Sequence, residues 1–286
     1  MIKKLAWVTT RDAHGRDEDE PAVLAALRIK GVSVEVTDWD DISVNWSQFD
    51  RVVLRSAWDY PKRLTEFLFW LDHVASTTEV VNAPKTVRWN LDKQYLIELA
   101  NAGIPITPTN FVKPGSETIF PSGEFVIKPA IGAGSRDAAS YAKDQQEIAR
   151  AHVARLHAAG QTVLVQPLLK SIDTDGEWPL VFFGGEFSHA ANKRVSLPRA
   201  GSVEDLFAHE TNTSHIATAD QIKIASAAID MVSKQLGTPT YGRVDLVRDN
   251  EGQFCILELE LIEPSLFLLC TDPKAIDKFV AVLIKN

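Results

Sequence analysis

Ile256-Leu257-Glu258-Leu259-Glu260-Leu261 alternates apolar and acidic residues over its last five positions. Successive side chains of a strand point to opposite faces, so Glu258 and Glu260 share one face and the leucines share the other. Upstream, Arg248-Asp249-Asn250-Glu251-Gly252 reads as a hairpin turn joining strands at Gly242–Val247 and Gln253–Leu261. The parity of Asp245 is compatible with the acidic face. Two carboxylates about 7 Å apart repel by roughly 2 kcal/mol at an effective dielectric near 20. The face therefore calls for cations, and hard divalent ions bound through carboxylate oxygen meet the need. The alternative reading is a solvated sheet face on which Arg243 neutralises Asp245.

Four further features are read working outward from this hairpin. Phe125-Val126-Ile127-Lys128-Pro129 is a buried strand ending in a lysine, followed by the glycine-rich Ile131-Gly132-Ala133-Gly134-Ser135-Arg136. Charge from the lysine and bare N–H groups from the loop suit phosphate, although a plain hairpin turn has the same look. The loop lacks the Gly-Lys-Ser/Thr of a phosphate-binding Walker loop, and Asp137 stands where G-x-G-x-x-G needs glycine. Lys93 falls in the first turn of a helix predicted over Leu91–Ala102 and capped by Asn90. A cation there opposes the helix dipole, so it is either exposed or aimed at an anion. Gln166-Pro167-Leu168-Leu169 leaves the buried strand Thr162–Gln166, and Asn192-Lys193-Arg194 is a basic segment suited to an anion. His209-Glu210-Thr211-Asn212-Thr213-Ser214-His215 is not a zinc motif, because its second histidine is two residues too late; a flexible loop is expected there.

The first third alternates strand and helix: Lys4–Thr9, a helix over Glu18–Lys30, Ser33–Val36, Arg51–Ser56, a helix over Arg63–Ala75, and Glu79–Val81. That order predicts an open, mainly parallel sheet with ligands beyond its carboxyl strand ends. Two loops lie there, Thr10–Asp17 and Ser56–Pro61. Thr218 with Gln221 forms a capping box before a helix over Ala219–Leu236. Leu180–Phe187 reads as a hairpin turning at Gly184-Gly185, and Asp272-Pro273 starts a last helix.

The chain has 286 residues, a formal charge of −8, 45% hydrophobic and 24% charged residues. This is globular composition for roughly two domains, and it excludes a disordered or fibrous protein. Two cysteines exclude a disulfide framework and a four-cysteine zinc site, and fit a reducing compartment. The acidic balance argues against nucleic acid or an anionic membrane as partner. Met1-Ile2-Lys3-Lys4 leads straight into an apolar run, and no run reaches the ~18 residues of a membrane span, so a cytoplasmic location without a leader is expected.

Lys93, Lys128 with its glycine loop, a strand ending at Gln166-Pro167, then Asp245, Glu258 and Glu260: in this order the chain resembles the ATP-grasp superfamily over roughly residues 82–270. The layout is similar to bacterial glutathione synthetase and the ribosomal-protein glutamate ligases. The resemblance implies an α/β and α+β fold: a Rossmann-like preATP-grasp domain (1–84), then an ATP-grasp central lobe (85–168) and a C-terminal lobe with the metal site (169–286). It implies an ATP-dependent carboxylate–amine ligase acting through an acyl-phosphate on a small amino-acid-like or peptide-like substrate. The alternatives are a kinase of the same superfamily or a non-catalytic nucleotide-binding protein.

The nucleotide is expected at Lys93, Lys128, Gly132, Gly134, Ser135, Gln166, Leu168, Leu169 and Glu177. Two Mg²⁺ are expected at Asp245, Glu258 and Glu260. Arg194 and Lys128 are the expected catalytic residues. The family's usual Glu-x-Asn at the metal site is here Glu258-Leu259-Glu260, and its Arg plus Gly-Gly stretch is not evident, Ala208–His215 standing in that region. Arg55-Ser56-Ala57-Trp58-Asp59-Tyr60, Val181–Ser188 and Glu258–Leu266 resemble the branch that contains the cycloserine-pathway cyclo-ligase, which closes O-ureidoserine. Substrate contacts are expected from Arg55 (carboxylate) and Asp59 (ammonium), with Ser56 and Arg11 nearby. The alternative is an internal Arg55–Asp59 ion pair packed by Trp58 and Tyr60. Small-molecule partners and a homo-oligomer complete the expectation.

Overall fold

The computed structural model describes residues 2–195 and 210–285. The first body is β1 (Lys4–Thr9), α1 (Glu20–Ile29), β2 (Ser33–Asp38), β3 (Arg51–Ser56), α2 (Leu64–Ala75) and β4 (Glu79–Val81). Its strands lie in the order β2-β1-β3-β4, all parallel, as the alternation of strand and helix requires. Every residue of β3 is buried, which is the signature of a central parallel strand covered on both faces. Phe67, Leu71 and Val74 of α2 pack on one side of the sheet, and Val23, Leu24 and Leu27 of α1 on the other.

Then come α3 (Pro84–Asn90) and α4 (Tyr95–Asn101), followed by β5 (Asn110–Val112), β6 (Phe125–Pro129), β7 (Ala139–Tyr141), α5 (Gln146–Ala158) and β8 (Val163–Pro167). The four strands form an antiparallel sheet in the order β5-β8-β6-β7, with its own core around Phe125, Ile127, Val153 and Val165. The last body comprises α6 (Ser171–Thr174), β9 (Trp178–Phe183), β10 (Glu186–Val195), β11 (Glu210–His215), α7 (Ala219–Leu236), β12 (Tyr241–Arg248), β13 (Phe254–Glu260) and α8 (Lys274–Ile284). Its sheet is antiparallel in the order β11-β10-β9-β12-β13. At the β9–β10 turn, Gly184 and Gly185 have φ of 58° and 82°, and a Cβ on Gly185 would lie 2.9 Å from Thr238. Thr218 and Gln221 make the expected capping box.

Two expectations need correction. The helix expected over Leu91–Ala102 is shorter, Tyr95–Asn101, and a separate helix, Pro84–Asn90, precedes it. Pro84 opens the preceding one, where its fixed φ and missing N–H cost nothing. Asn90 ends that helix instead of capping a new one. Its side chain donates to Leu259 O (2.9 Å) and accepts from Leu261 N (2.7 Å), so a distant strand holds it. The second correction concerns Glu210–His215, which is not a loop but strand β11, paired with β10 from Ala190↔His215 to Val195↔Glu210. His209 lies outside the described residues. Residues of α4 (Tyr95, Leu96, Leu99) pack into the same core as α7, β12 and β13, so this helix belongs physically with the C-terminal sheet.

The first and last bodies are knit by buried polar groups. The Tyr241 hydroxyl lies 2.8 Å from Leu54 O, 3.0 Å from Val81 O and 2.9 Å from Ile262 O, its one proton shared among the three acceptors. Asn82 donates to Tyr241 O and Leu261 O and accepts from Thr240 N. Among the described residues no helix is long and apolar enough to cross a membrane.

Candidate active site

One large cavity opens between the β5–β8 sheet and the β9–β13 sheet, with the first body along its side. Its acidic wall is the β12–β13 hairpin. Arg243 lies opposite Glu260 and Asp245 opposite Glu258, so all four side chains share a face. A bulge precedes Glu258, leaving Leu257 as the extra residue, and that leucine lines the cavity without joining the core cluster of Ile256, Leu259 and Leu261.

Cations sit on this wall. Lys93 Nζ is 3.0 Å from Glu258 Oε1 and donates to Gly132 O at 2.9 Å. Arg243 grips Asp245 with Nε (2.7 Å) and Nη2 (2.8 Å), also donates to Glu260, and reaches Ser265 O at 3.1 Å. Burial alone would raise the Glu258 carboxyl, but Lys93 and Lys128 outweigh it and hold it well below the usual range. Glu260 is shifted the other way: burial and its acidic neighbours push it up against the pull of Arg243.

The opposite wall carries Lys128, at the end of β6, and the glycine loop. Among the described residues no carboxylate comes within ion-pair distance of the Lys128 ammonium, and burial lowers its proton affinity, with nearby Lys93 adding to the effect. It is a cation waiting for an anion. Gly132, Gly134 and Ser135 line the cavity beside it. Gly134, Ser135 and Asp137 have φ of 62°, 57° and 58°. Ser135 and Asp137 thus hold a conformation that usually costs a non-glycine residue about 1 kcal/mol or more. Arg136 also lines the cavity, with Nε and Nη1 buried and without hydrogen-bond partners.

The remaining expected residues divide. Gln166 and Leu169 line an apolar slot with Val126, Ile172 and Leu257, whereas Leu168 does not, and its N–H donates to Glu124 O at 2.9 Å. Glu177 lines the cavity in a 3.0 Å ion pair with Lys193. Arg194 does not reach the cavity. Strand alternation turns Lys193 inward and leaves Arg194 exposed on the other side of β10, which corrects the catalytic role expected for it. Asp245 is 2% exposed, stands behind Arg243 and has both oxygens taken.

The substrate contacts expected from the first body also fall elsewhere. Arg55 is 1% exposed, lies between Asp17 (3.4 Å) and Asp19 (3.8 Å), and donates to Pro264 O. The internal pairing weighed for it is therefore real, but its partners are Asp17 and Asp19, not Asp59. Asp59 accepts from Trp39 Nε1 and pairs with Arg63, Ser56 donates to Thr9, and Arg11 is exposed on a short turn. What the first body does bring to the cavity is Trp58 and Tyr60.

Arg243, Lys193 and Glu263 were not among the site residues expected from sequence. Arg243 had a usable signal, since it shares the parity of Asp245. The donors for a hard cation are all oxygen, and Glu258 and Glu260 face the cavity, so these two fit magnesium by chemistry. Among the described residues no three His, Cys, Asp or Glu converge closely enough to hold a metal ion, because Arg243 stands between Asp245 and the cavity.

Residues 5–82 match the family model of the N-terminal domain of D-cycloserine synthetase DcsG. The cycloserine biosynthesis protein DcsG of Streptomyces lavendulae is 39% identical over 285 residues, 95% of each chain. A crystal structure of D-cycloserine synthetase DcsG superposes with TM-score 0.87 at 38% identity, over 98% of both chains. D-alanine–D-alanine ligase from Bacillus anthracis shares the fold at 14% identity, TM-score 0.67, over 99% of this chain and 95% of that one. Identity of this level along nearly the whole chain places the protein in the D-cycloserine synthetase family of ATP-grasp ligases.

Proposed function

We propose that the cavity activates the carboxylate of a small amino-acid-like substrate with ATP and joins it to an amine-type nucleophile, closing a ring as the relatives' names suggest. The observation that carries this is the convergence of two lysines, a glycine loop and an acidic hairpin on one cavity. The apolar slot at Val126, Leu169, Ile172 and Leu257 suits a purine. Lys93 and Lys128 suit its phosphates, and Arg136, with two buried N–H-bearing nitrogens unpartnered, suits the terminal one. Glu258 and Glu260 would hold magnesium, which when bound neutralises phosphate charge; Asp245 fixes Arg243.

A substrate carboxylate oxygen attacks the γ-phosphorus, and the bond to the ADP oxygen breaks. The amine nitrogen then attacks the acyl carbon, inorganic phosphate leaves, and the amine's proton passes to solvent. Lys128 counters charge on the transferred phosphoryl group, and Arg243 is the side chain placed to stabilise the oxyanion at the acyl carbon. No protein nucleophile is needed. The glycine loop keeps water off the acyl-phosphate. We also infer a three-part chain, 1–84, 85–168 and 169–286, in which α4 travels with the third part.

The test is ADP release from Mg·ATP across amino acids, ureido and hydroxy amino acids, with product mass measured. Lys128→Ala and Glu258→Ala are expected to abolish release while the circular dichroism stays native. Normal ADP formation in either variant overturns the assignment, and phosphate retained on the product identifies a kinase.

A further inference from the structure

The cavity contains a carboxyl group that the ligase chemistry leaves unused. Glu263 follows the acidic hairpin, is 8% exposed and lines the cavity. Glu177, Glu258 and Glu260 in the same cavity each hold a basic partner, namely Lys193, Lys93 and Arg243. Glu263 has none: among the described residues no lysine, arginine or histidine lies within ion-pair distance of it. The Tyr60 hydroxyl, from the first body, is near enough to act on this carboxyl.

Its backbone is held as firmly as its side chain. Glu263 O accepts from Trp58 Nε1 (3.3 Å), and the next carbonyl, of Pro264, accepts from the buried Arg55 at 2.9 Å. Leu266 N and Leu268 N both donate to Asp19. The carboxyl thus lies on the cavity wall where the first body meets the acidic hairpin. A carboxylate buried without a cation is costly unless something supplies one. Burial, with Glu260 nearby, accordingly holds this carboxyl up at about 8. A protonated acid facing Tyr60 is a stable resting arrangement, and an arriving ammonium converts it to an ion pair.

We propose that Glu263, oriented by Tyr60, is the specificity residue that receives the primary ammonium group of the substrate, so that the enzyme selects amino acids over the matching des-amino acids. This rests on the ligase reading above and deepens it by naming the group recognised. Trp58 and Tyr60 supply the aromatic wall beside that ammonium.

The test compares O-ureidoserine with 3-(ureidooxy)propanoate, which differs only in lacking the ammonium. Binding is measured with Mg²⁺ and a non-hydrolysable ATP analogue, and KM for each substrate and for Mg·ATP by ADP release. The wild type is expected to prefer the amino compound by about 10²-fold or more, since a site built around a polar group rejects the analogue without it. Glu263→Gln is expected to cut that preference at least tenfold while KM for Mg·ATP stays within twofold, and Tyr60→Phe to cut it less. Unchanged preference in Glu263→Gln, or equal loss on both compounds, overturns the proposal. So does a raised Mg²⁺ requirement without loss of preference, which would make Glu263 a metal-side residue. Wild-type protein that binds the ATP analogue but neither compound overturns the substrate inference and spares the ligase reading. Failure to bind the analogue removes both.

Discussion

Lys93→Met is the most informative perturbation of the resting site. The side chain is 10% exposed and makes two contacts, 3.0 Å to Glu258 and 2.9 Å to Gly132 O. Methionine keeps the volume and removes the charge, leaving Glu258 buried beside Glu260 with its nearest counterion gone. Removing one partner of a buried pair costs about 3–5 kcal/mol. The lower end applies here, because Glu258 is 24% exposed and Lys128 and Arg243 remain to act on it. The expected loss is about 3 kcal/mol near pH 7, with an accompanying fall of several degrees in melting temperature.

The sign with pH follows from the depressed Glu258 carboxyl. A folded-state value below the unfolded one adds stability that is complete above about 4.5 and is lost as pH falls toward the folded value. The gap between wild type and Lys93→Met should therefore narrow on acidification. Urea denaturation of the nucleotide-free proteins at pH 7 and pH 4, followed by tryptophan fluorescence, reads it directly. A gap below about 0.5 kcal/mol at pH 7, or one that widens at pH 4, refutes the argument that Lys93 is the principal counterion of Glu258.

Glu263 gives the opposite slope: its carboxyl sits at about 8 in the folded chain against 4.5 as the ordinary value, so its contribution to stability falls as pH rises between those values. Around it are Glu260, Glu258 and Lys93, and Glu263→Gln should flatten the nucleotide-free stability curve between pH 6 and 8.5, which melting curves in matched buffers would show. Thr218→Ala removes the capping box of α7 and should cost about 1 kcal/mol in urea titrations at any pH from 5 to 8, with ADP release unchanged.

What was legible in the sequence is what depends on near neighbours. The capping box at Thr218 and Gln221, the glycine turn at Gly184-Gly185 and the shared face of Glu258 and Glu260 each need only a few consecutive residues, and all are present. The family resemblance was likewise carried by the order of local motifs. Asn90 was misread because its partners, Leu259 and Leu261, lie about 170 positions away. Arg194 was named from the family pattern, and the basic run alone does not say which of Lys193 and Arg194 faces the cavity. The fate of Arg55 was set by Asp17 and Asp19, which reach it only after the parallel sheet has formed.

The shared Tyr241 hydroxyl, with the Asn82 clasp beside it, has a consequence for engineering and for evolution. Leu54, Val81 and Ile262 all present carbonyls to a single oxygen, so the first body and the C-terminal sheet are joined through one buried hydroxyl. The same bond makes the first 80 or so residues a poor interchangeable cassette. A graft whose carbonyls do not fall where Leu54 O and Val81 O lie leaves the buried Tyr241 hydroxyl with Ile262 O alone. Specificity in this architecture is thus more readily altered by point changes along 58–60 and 262–266 than by exchange of the whole N-terminal domain.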